Sequence, residues 1–164
     1  TLNKIGMSFS KPSFSKKERG YYVSWPDKTF LTEKDVGSFE INVSGLETIV
    51  VFVGGRFGKW LERRGSSTMR DYAITKVEET LGNTYIKNVN KTITTAWASD
   101  PFSNGSYSYA LPSNKPYRDT LGKSIENTMF FAGEATESSH FGTAHGAYFS
   151  GARAAKEIVE TNKI

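Results

Sequence analysis

The chain has 164 residues, of which 37% are hydrophobic and 23% charged; that is enough for one domain or two small lobes with a real core, and it lies outside the composition of a disordered chain. The net charge of +4 sits in mixed runs such as Lys16-Lys17-Glu18-Arg19 and Glu62-Arg63-Arg64, which read as solvated surface and not as the basic stripe of a nucleic-acid binder. The absence of cysteine excludes a disulfide framework, a thiolate metal site and a thioether-linked cofactor, and no apolar run reaches membrane-spanning length.

Ile5, Met7 and Phe9 alternate with polar or small residues from the first positions onward, the pattern of a half-buried strand, and Lys11-Pro12-Ser13 ends it. A chain that opens in a strand, without Met, reads as a piece whose natural N-terminal part is missing. Tyr21 to Trp25 forms a second strand closed by Pro26-Asp27. Phe39, Ile41 and Val43 alternate in a third, which turns at Ser44-Gly45. Ile49-Val50-Val51-Phe52-Val53 is a continuous apolar run, as expected of a strand buried on both faces. Gly65-Ser66-Ser67-Thr68 offers helix caps, Ala73, Ile74, Val77 and Leu81 form an apolar stripe, and Gly82-Asn83 stops that helix. Residues 91–97 are Thr-rich and extended. From Asp100 to Lys123 the sequence is loop-like, with Asp100-Pro101, Ser103-Asn104-Gly105 and Pro112-Ser113-Asn114 as turn signals. Thr128 to Ala132 predicts a short strand. The last helix runs from about Thr143 to Glu160, with Ala144, Ala147, Tyr148, Gly151, Ala155, Ile158 and Val159 on its expected buried face. These elements define an α+β fold: a mixed or antiparallel sheet with flanking helices, followed by a strand-loop-helix.

Several motifs fail on inspection. Val53-Gly54-Gly55-Arg56-Phe57-Gly58 follows an apolar strand, but the dinucleotide fingerprint G-x-G-x-x-G would need glycine at position 53, so these residues read as a glycine turn. His140 and His145 are five apart and lack the H-E-x-x-H context, so no metal site is expected. No serine stands in a G-x-S-x-G elbow. The start of the last helix is different. Gly142, Thr143, Ala144, Gly146 and Ala147 are nearly all small, although glycine is a poor helix former. A helix N-terminus carries unpaired N–H groups and partial positive charge, so small residues there would let a planar, electron-rich ligand approach the backbone. Tight packing of the helix against its neighbours would explain them equally well.

Two blocks carry a family likeness. Phe131-Ala132-Gly133-Glu134-Ala135-Thr136 with Gly142-Thr143-Ala144-His145-Gly146-Ala147 and Ser150-Gly151 forms the first. Trp97-Ala98-Ser99-Asp100-Pro101-Phe102 with Gly105-Ser106-Tyr107-Ser108-Tyr109 forms the second. In order and separation they resemble the C-terminal part of the flavin-dependent amine oxidases, which include polyamine oxidases, monoamine oxidases and flavin lysine demethylases. Leu2-Asn3-Lys4-Ile5 with Lys11-Pro12 is similar to a strand of that family's substrate domain.

The resemblance implies that residues 1–97 belong to a substrate-binding domain and 98–164 to the C-terminal part of an FAD-binding domain. It implies that Gly133 and Glu134 meet the ribityl and pyrophosphate region of FAD, that Thr143 and Ala144 lie at the flavin pyrimidine edge, and that Trp97 packs beside the flavin. Tyr107, with Thr143, would line the substrate slot. The catalytic group of the family, a lysine acting through a water, would lie upstream, so this segment holds none. Where monoamine oxidases carry a second tyrosine this chain has Thr143, and where they carry the flavin-linking cysteine it has Ser106. The implied cofactor is therefore non-covalent FAD, and the pattern leans toward polyamine oxidase-like enzymes: a small amine is oxidised to an imine by hydride transfer to flavin, and oxygen yields hydrogen peroxide. The partners expected are a small-molecule amine and oxygen, with no nucleic acid and no membrane. The competing expectation is a non-catalytic binding module or an inactive relative that kept the fold.

Overall fold

The computed structural model describes residues 1–11, 14–25, 32–42, 45–112 and 117–161. Pro12, Ser13, Pro26, Asp27, Val43, Ser44, Ser113 and Asn114, on which several expected turns and the end of the third strand rest, lie outside the described residues. The chain divides into two compact units, Thr1–Ser106 and Tyr107–Ile164.

The first unit is built on a five-stranded antiparallel sheet in the order β2-β3-β4-β1-β5. The strands are β1 (Leu2–Phe9), β2 (Gly20–Ser24), β3 (Gly37–Ile41), β4 (Thr48–Gly54) and β5 (Val89–Thr94). The strand that comes first in sequence is thus internal: Ile5 stands opposite Val51 of β4 and Thr94 of β5. Two helices, α1 (Gly55–Arg64) and α2 (Ser66–Leu81), follow β4. They cover one sheet face, where Ile5, Met7, Phe39, Ile41, Ile49, Val51 and Val53 meet Leu61, Met69, Ala73 and Val77 in one buried cluster. Burying a side chain of this size stabilises by about 1.5–3 kcal/mol, so this cluster is the unit's main source of stability.

Two expectations change here. The apolar run of β4 is not buried on both faces. Ile49, Val51 and Val53 are buried while Val50 and Phe52 are only partly so, because the sheet is antiparallel and the helices lie on one side only. The glycine turn after Val53 leads directly into a helix, because the run from Gly55 onward puts Gly58, Leu61 and Glu62 on one buried side.

The second unit holds α3 (Tyr117–Leu121), a 3-10 turn at Glu134–Thr136 and α4 (Ala144–Thr161). The strand expected over 128–132 is reduced to one bridge between Ile125 and Met129. No strand of this unit is described to pair with it, and extended backbone without a partner forms no ladder. The buried face of α4 also differs from the expectation. Gly146, Ser150 and Ala154 are buried, whereas Ala144, Tyr148, Ala155, Ile158 and Val159 are exposed. The apolar stripe misled because the packed side of this helix is made of small and polar residues. Ser150 accepts the Gly133 N–H at 2.9 Å, and Arg153 Nη2 donates to Phe131 O at 2.9 Å. The 131–136 segment therefore docks on α4 through hydrogen bonds.

Candidate functional site

In the first unit, Trp97 follows β5 on a turn held by a polar node. Asn3 of β1 donates from Nδ2 to Glu62 Oε2 of α1 at 2.7 Å, and its Oδ1 accepts from Thr95 Oγ1 at 3.2 Å and Trp97 N at 3.4 Å. Glu62 in turn accepts the N–H groups of Ser99 at 2.6 Å and Ala98 at 3.3 Å. Both Asn3 and Glu62 are buried, which corrects the reading of Glu62 as solvated surface. Burial works against the Glu62 charge, but the hydrogen bonds from Ser99, Asn3 and Ala98 outweigh it and hold the carboxyl below its ordinary range. Trp97 itself is 39% exposed, so it is not a core tryptophan of this unit. It borders a cleft of about 360 Å³ shared with Thr95, Ala96, Ser99, Asp100 and Pro101. Ser106 accepts the Leu2 N–H at 2.7 Å, which ties the end of this segment to the start of β1.

In the second unit, Tyr107, Glu134, Gly142 and Thr143 come together. Glu134 is the centre. Its Oε1 accepts the Ser108 N–H at 2.7 Å, and its Oε2 accepts the Ser108 hydroxyl at 2.7 Å and the Gly142 N–H at 2.6 Å. Desolvation alone would raise its pKa; the bonds from Ser108 and Gly142, and the positive charge of Arg118, more than offset this and lower it. An ionised carboxylate has about four acceptor positions, so one is left for an outside donor. Gly142 has φ +70°, and a Cβ built there would lie 3.7 Å from Tyr107 Cδ2. Tyr107 is 55% exposed beside it. Gly133, with φ +135°, has nothing within 4 Å of where its Cβ would be.

The small residues at the start of α4 have separate causes. Thr143 is the N-cap: its hydroxyl donates to His140 O at 2.6 Å and accepts the Gly146 N–H at 3.1 Å. Gly146 is required by packing, since a Cβ there would stand 2.0 Å from His140 O. Gly142 is required by its turn. Among the described residues, no acceptor reaches the N–H of Ala144 or His145. These two donors, with the helix dipole behind them, are what this end offers to a ligand. Thr143→Ala is expected to destabilise this helix by about 1 kcal/mol, and Thr143→Ser far less, because serine keeps the cap; thermal unfolding of the two variants checks this.

The sequence reading missed Asn3, Glu62, Ser108 and Arg118. The signal for the first two was present, as a polar side chain inside the alternating strand and an acid inside an amphipathic helix.

In the second unit, a glycine-glutamate turn beside a capped helix end, with two N–H groups that meet no acceptor among the described residues, suits the binding of a polar ligand with an electron-rich ring. The chain matches the family described as flavin containing amine oxidoreductase over residues 1–159 and belongs to it; the cofactor of that family is FAD. It is 34% identical, over 96% of its length, to lysine-specific histone demethylase 1 homolog 2 of Arabidopsis thaliana, of which it covers 22%. It is 32% identical, over 94% of its length, to polyamine oxidase 4 of Oryza sativa subsp. japonica, covering 31% of that protein. The same identity and coverage relate it to polyamine oxidase 2 of Arabidopsis thaliana, of which it covers 30%. The chain therefore spans less than a third of each of these relatives.

The residues present fit FAD on their own geometry. Two N–H groups at a helix N-terminus meet no acceptor among the described residues, Gly133 has open space where a Cβ would stand, and Glu134 retains an acceptor position for a hydroxyl.

Proposed function

We propose that this chain is the C-terminal part of an FAD-dependent amine oxidase that acts on a small, polyamine-like amine. Residues 1–97 belong to the substrate-binding part, and residues 98–164 close the FAD-binding part. The catalytic lysine comes from sequence outside this chain. FAD, when bound, supplies two-electron redox chemistry: a hydride leaves the carbon next to an unprotonated amine nitrogen, the imine is hydrolysed, and oxygen is reduced to hydrogen peroxide.

The observation that carries this reading is the pair of N–H groups at Ala144 and His145, left without acceptors at the start of α4 beside Tyr107 and Glu134. At the edge of an electron-rich ring they would favour negative charge there, and so would assist both the binding of FAD and its redox chemistry. Glu134 accepts from a cofactor hydroxyl. Tyr107, with Thr143 next to it, would form one wall of the amine slot, and the family resemblance assigns Trp97 a place beside the flavin. The flavin is held without a covalent bond, because Ser106 offers no thiol and the chain has no cysteine. The demethylase relative, at an identity close to that of the polyamine oxidases, supports a second reading in which the amine is a methylated lysine side chain.

The test uses the full-length protein that carries this chain. Acid or urea should release equimolar FAD into the supernatant, and amine-dependent peroxide should form with spermine and not with a dimethyl-lysine peptide. Peroxide with the peptide alone would move the assignment to the second reading. A full-length protein with no flavin and no peroxide with either amine would sink both.

A further inference from the structure

Arg118 lies in the five-residue helix α3 and is only 4% exposed. A buried guanidinium is costly unless paired and hydrogen-bonded, so its surroundings need a reason. Its Nη1 donates to Ser108 Oγ at 2.6 Å and to Ala135 O at 3.2 Å. Because Ser108 Oγ accepts from Arg118, its own proton is free to point at Glu134 Oε2, 2.7 Å away. Glu134 Oε2 also accepts the Gly142 N–H. The other side of the guanidinium lies 4.2 Å over the ring of Phe141. One cation thus joins three stretches of chain: the one after Tyr107, the turn at Glu134–Thr136, and the loop that enters α4. Its Nη2 is buried with no hydrogen-bond partner among the described residues, so the contacts described here use the charge and one nitrogen.

We propose that Arg118 is a positioning residue for the ligand edge of the second unit: acting through Ser108 and Glu134, it sets the spacing between the Tyr107 wall and the open N–H groups at the start of α4. The proposal rests on the amine-oxidase reading above for the identity of the ligand. A neutral donor could orient the Ser108 hydroxyl in the same way but would not bring the positive charge that favours an ionised Glu134. Arg118 touches neither cofactor nor substrate in this scheme.

The test compares Arg118→Met, which removes charge and donors, with Arg118→Lys, which keeps the charge and a donor that can serve both Nη1 contacts. Both are made in the full-length protein. In the FAD-stripped protein, amide hydrogen exchange is followed over 106–110 and 139–143. In the FAD-loaded protein, the visible flavin spectrum, the FAD dissociation rate, and KM against kcat are followed. Arg118→Met should speed exchange of both segments on the order of tenfold, the scale of a lost hydrogen bond to a charged group. Exchange in β1 and β4 should not change. It should also shift the flavin band and speed FAD release by a similar factor, and Arg118→Lys should restore most of both. Unchanged exchange in Arg118→Met overturns the relay. Faster exchange with an unaltered flavin band and release rate overturns the positioning role and leaves Arg118 a packing residue. If Arg118→Met does not fold, Ser108→Ala cuts the relay with Arg118 still in place and is judged by the same readouts. A wild-type protein that takes up no FAD refutes the oxidase reading before any variant is made, and overturns with it the role assigned here toward that ligand; the exchange arm then decides the relay alone.

Discussion

Tyr107→Ala is expected to slow flavin reduction by amine on the order of a hundredfold in the full-length protein, the scale of a reacting carbon misplaced by about an ångström. Tyr107→Phe is expected to change it little. The reason is where the ring stands. It is half exposed and lies against Gly142, whose backbone leads into the start of α4. A wall at that position acts by its area and flatness, which phenylalanine keeps and alanine loses. The hydroxyl is not needed for that. Anaerobic stopped-flow reduction, with FAD content measured alongside, separates alignment from cofactor loss. Wild-type reduction by Tyr107→Ala would remove the residue from the slot.

The second large effect comes from one substitution made at two places on the same helix. Gly146→Ala puts a methyl group 2.0 Å from the His140 carbonyl oxygen and 2.8 Å from its carbon. Both are backbone atoms, so no side-chain rotation relieves the clash, and the loop entering α4 must move. That displaces Thr143, which caps the helix, and Gly142, which donates to Glu134. Overpacking of this kind costs about 1–3 kcal/mol, which exceeds alanine's advantage in helix propensity. Gly151→Ala meets nothing within 4 Å and should stabilise by about 0.5–1 kcal/mol. For a chain of this size each kcal/mol moves the melting temperature by about 2–4 °C. Thermal unfolding of the two variants should therefore shift in opposite directions. The full-length Gly146→Ala protein should also retain less FAD. A shift of the same sign in both variants would contradict the packing at His140.

Much of the first unit was legible because its rows alternate. Ile5 and Met7 in β1, Phe39 and Ile41 in β3, and Ala73 and Val77 in α2 stand where spacing places them, and all are buried. Helix α1 was hidden by Gly54, Gly55 and Gly58, which read as a turn, although Leu61 and Glu62 complete a helical face. The packed side of α4 was hidden for the opposite reason. Gly146, Ser150 and Ala154 carry little hydrophobic signal, while Tyr148, Ile158 and Val159 carry a great deal and are exposed. At the site, Glu134 and the helix start were marked by the family blocks. The partners that orient them were not, because hydrogen-bond nodes leave no spacing in a sequence. Ser108 and Glu134 are 26 residues apart, and Asn3 and Glu62 are 59 apart. The separate origins of the small residues were equally unreadable, since turn, packing and ligand clearance all call for the same amino acids.

The internal place of β1 bears on the order of assembly. Of the five strands of this sheet β1 is made first, but it has no neighbour until β4 and does not gain its second until β5. In the meantime β2, β3 and β4 can zip together as successive antiparallel neighbours. The last fastening, from Leu2 to Ser106, closes across 104 positions. Long-range pairing of this kind delays the reward for loop closure. A strand with two open edges and the alternating residues Ile5, Met7 and Phe9 is exposed through that interval, so β1 is the strand of this sheet most open to wrong pairing while it waits.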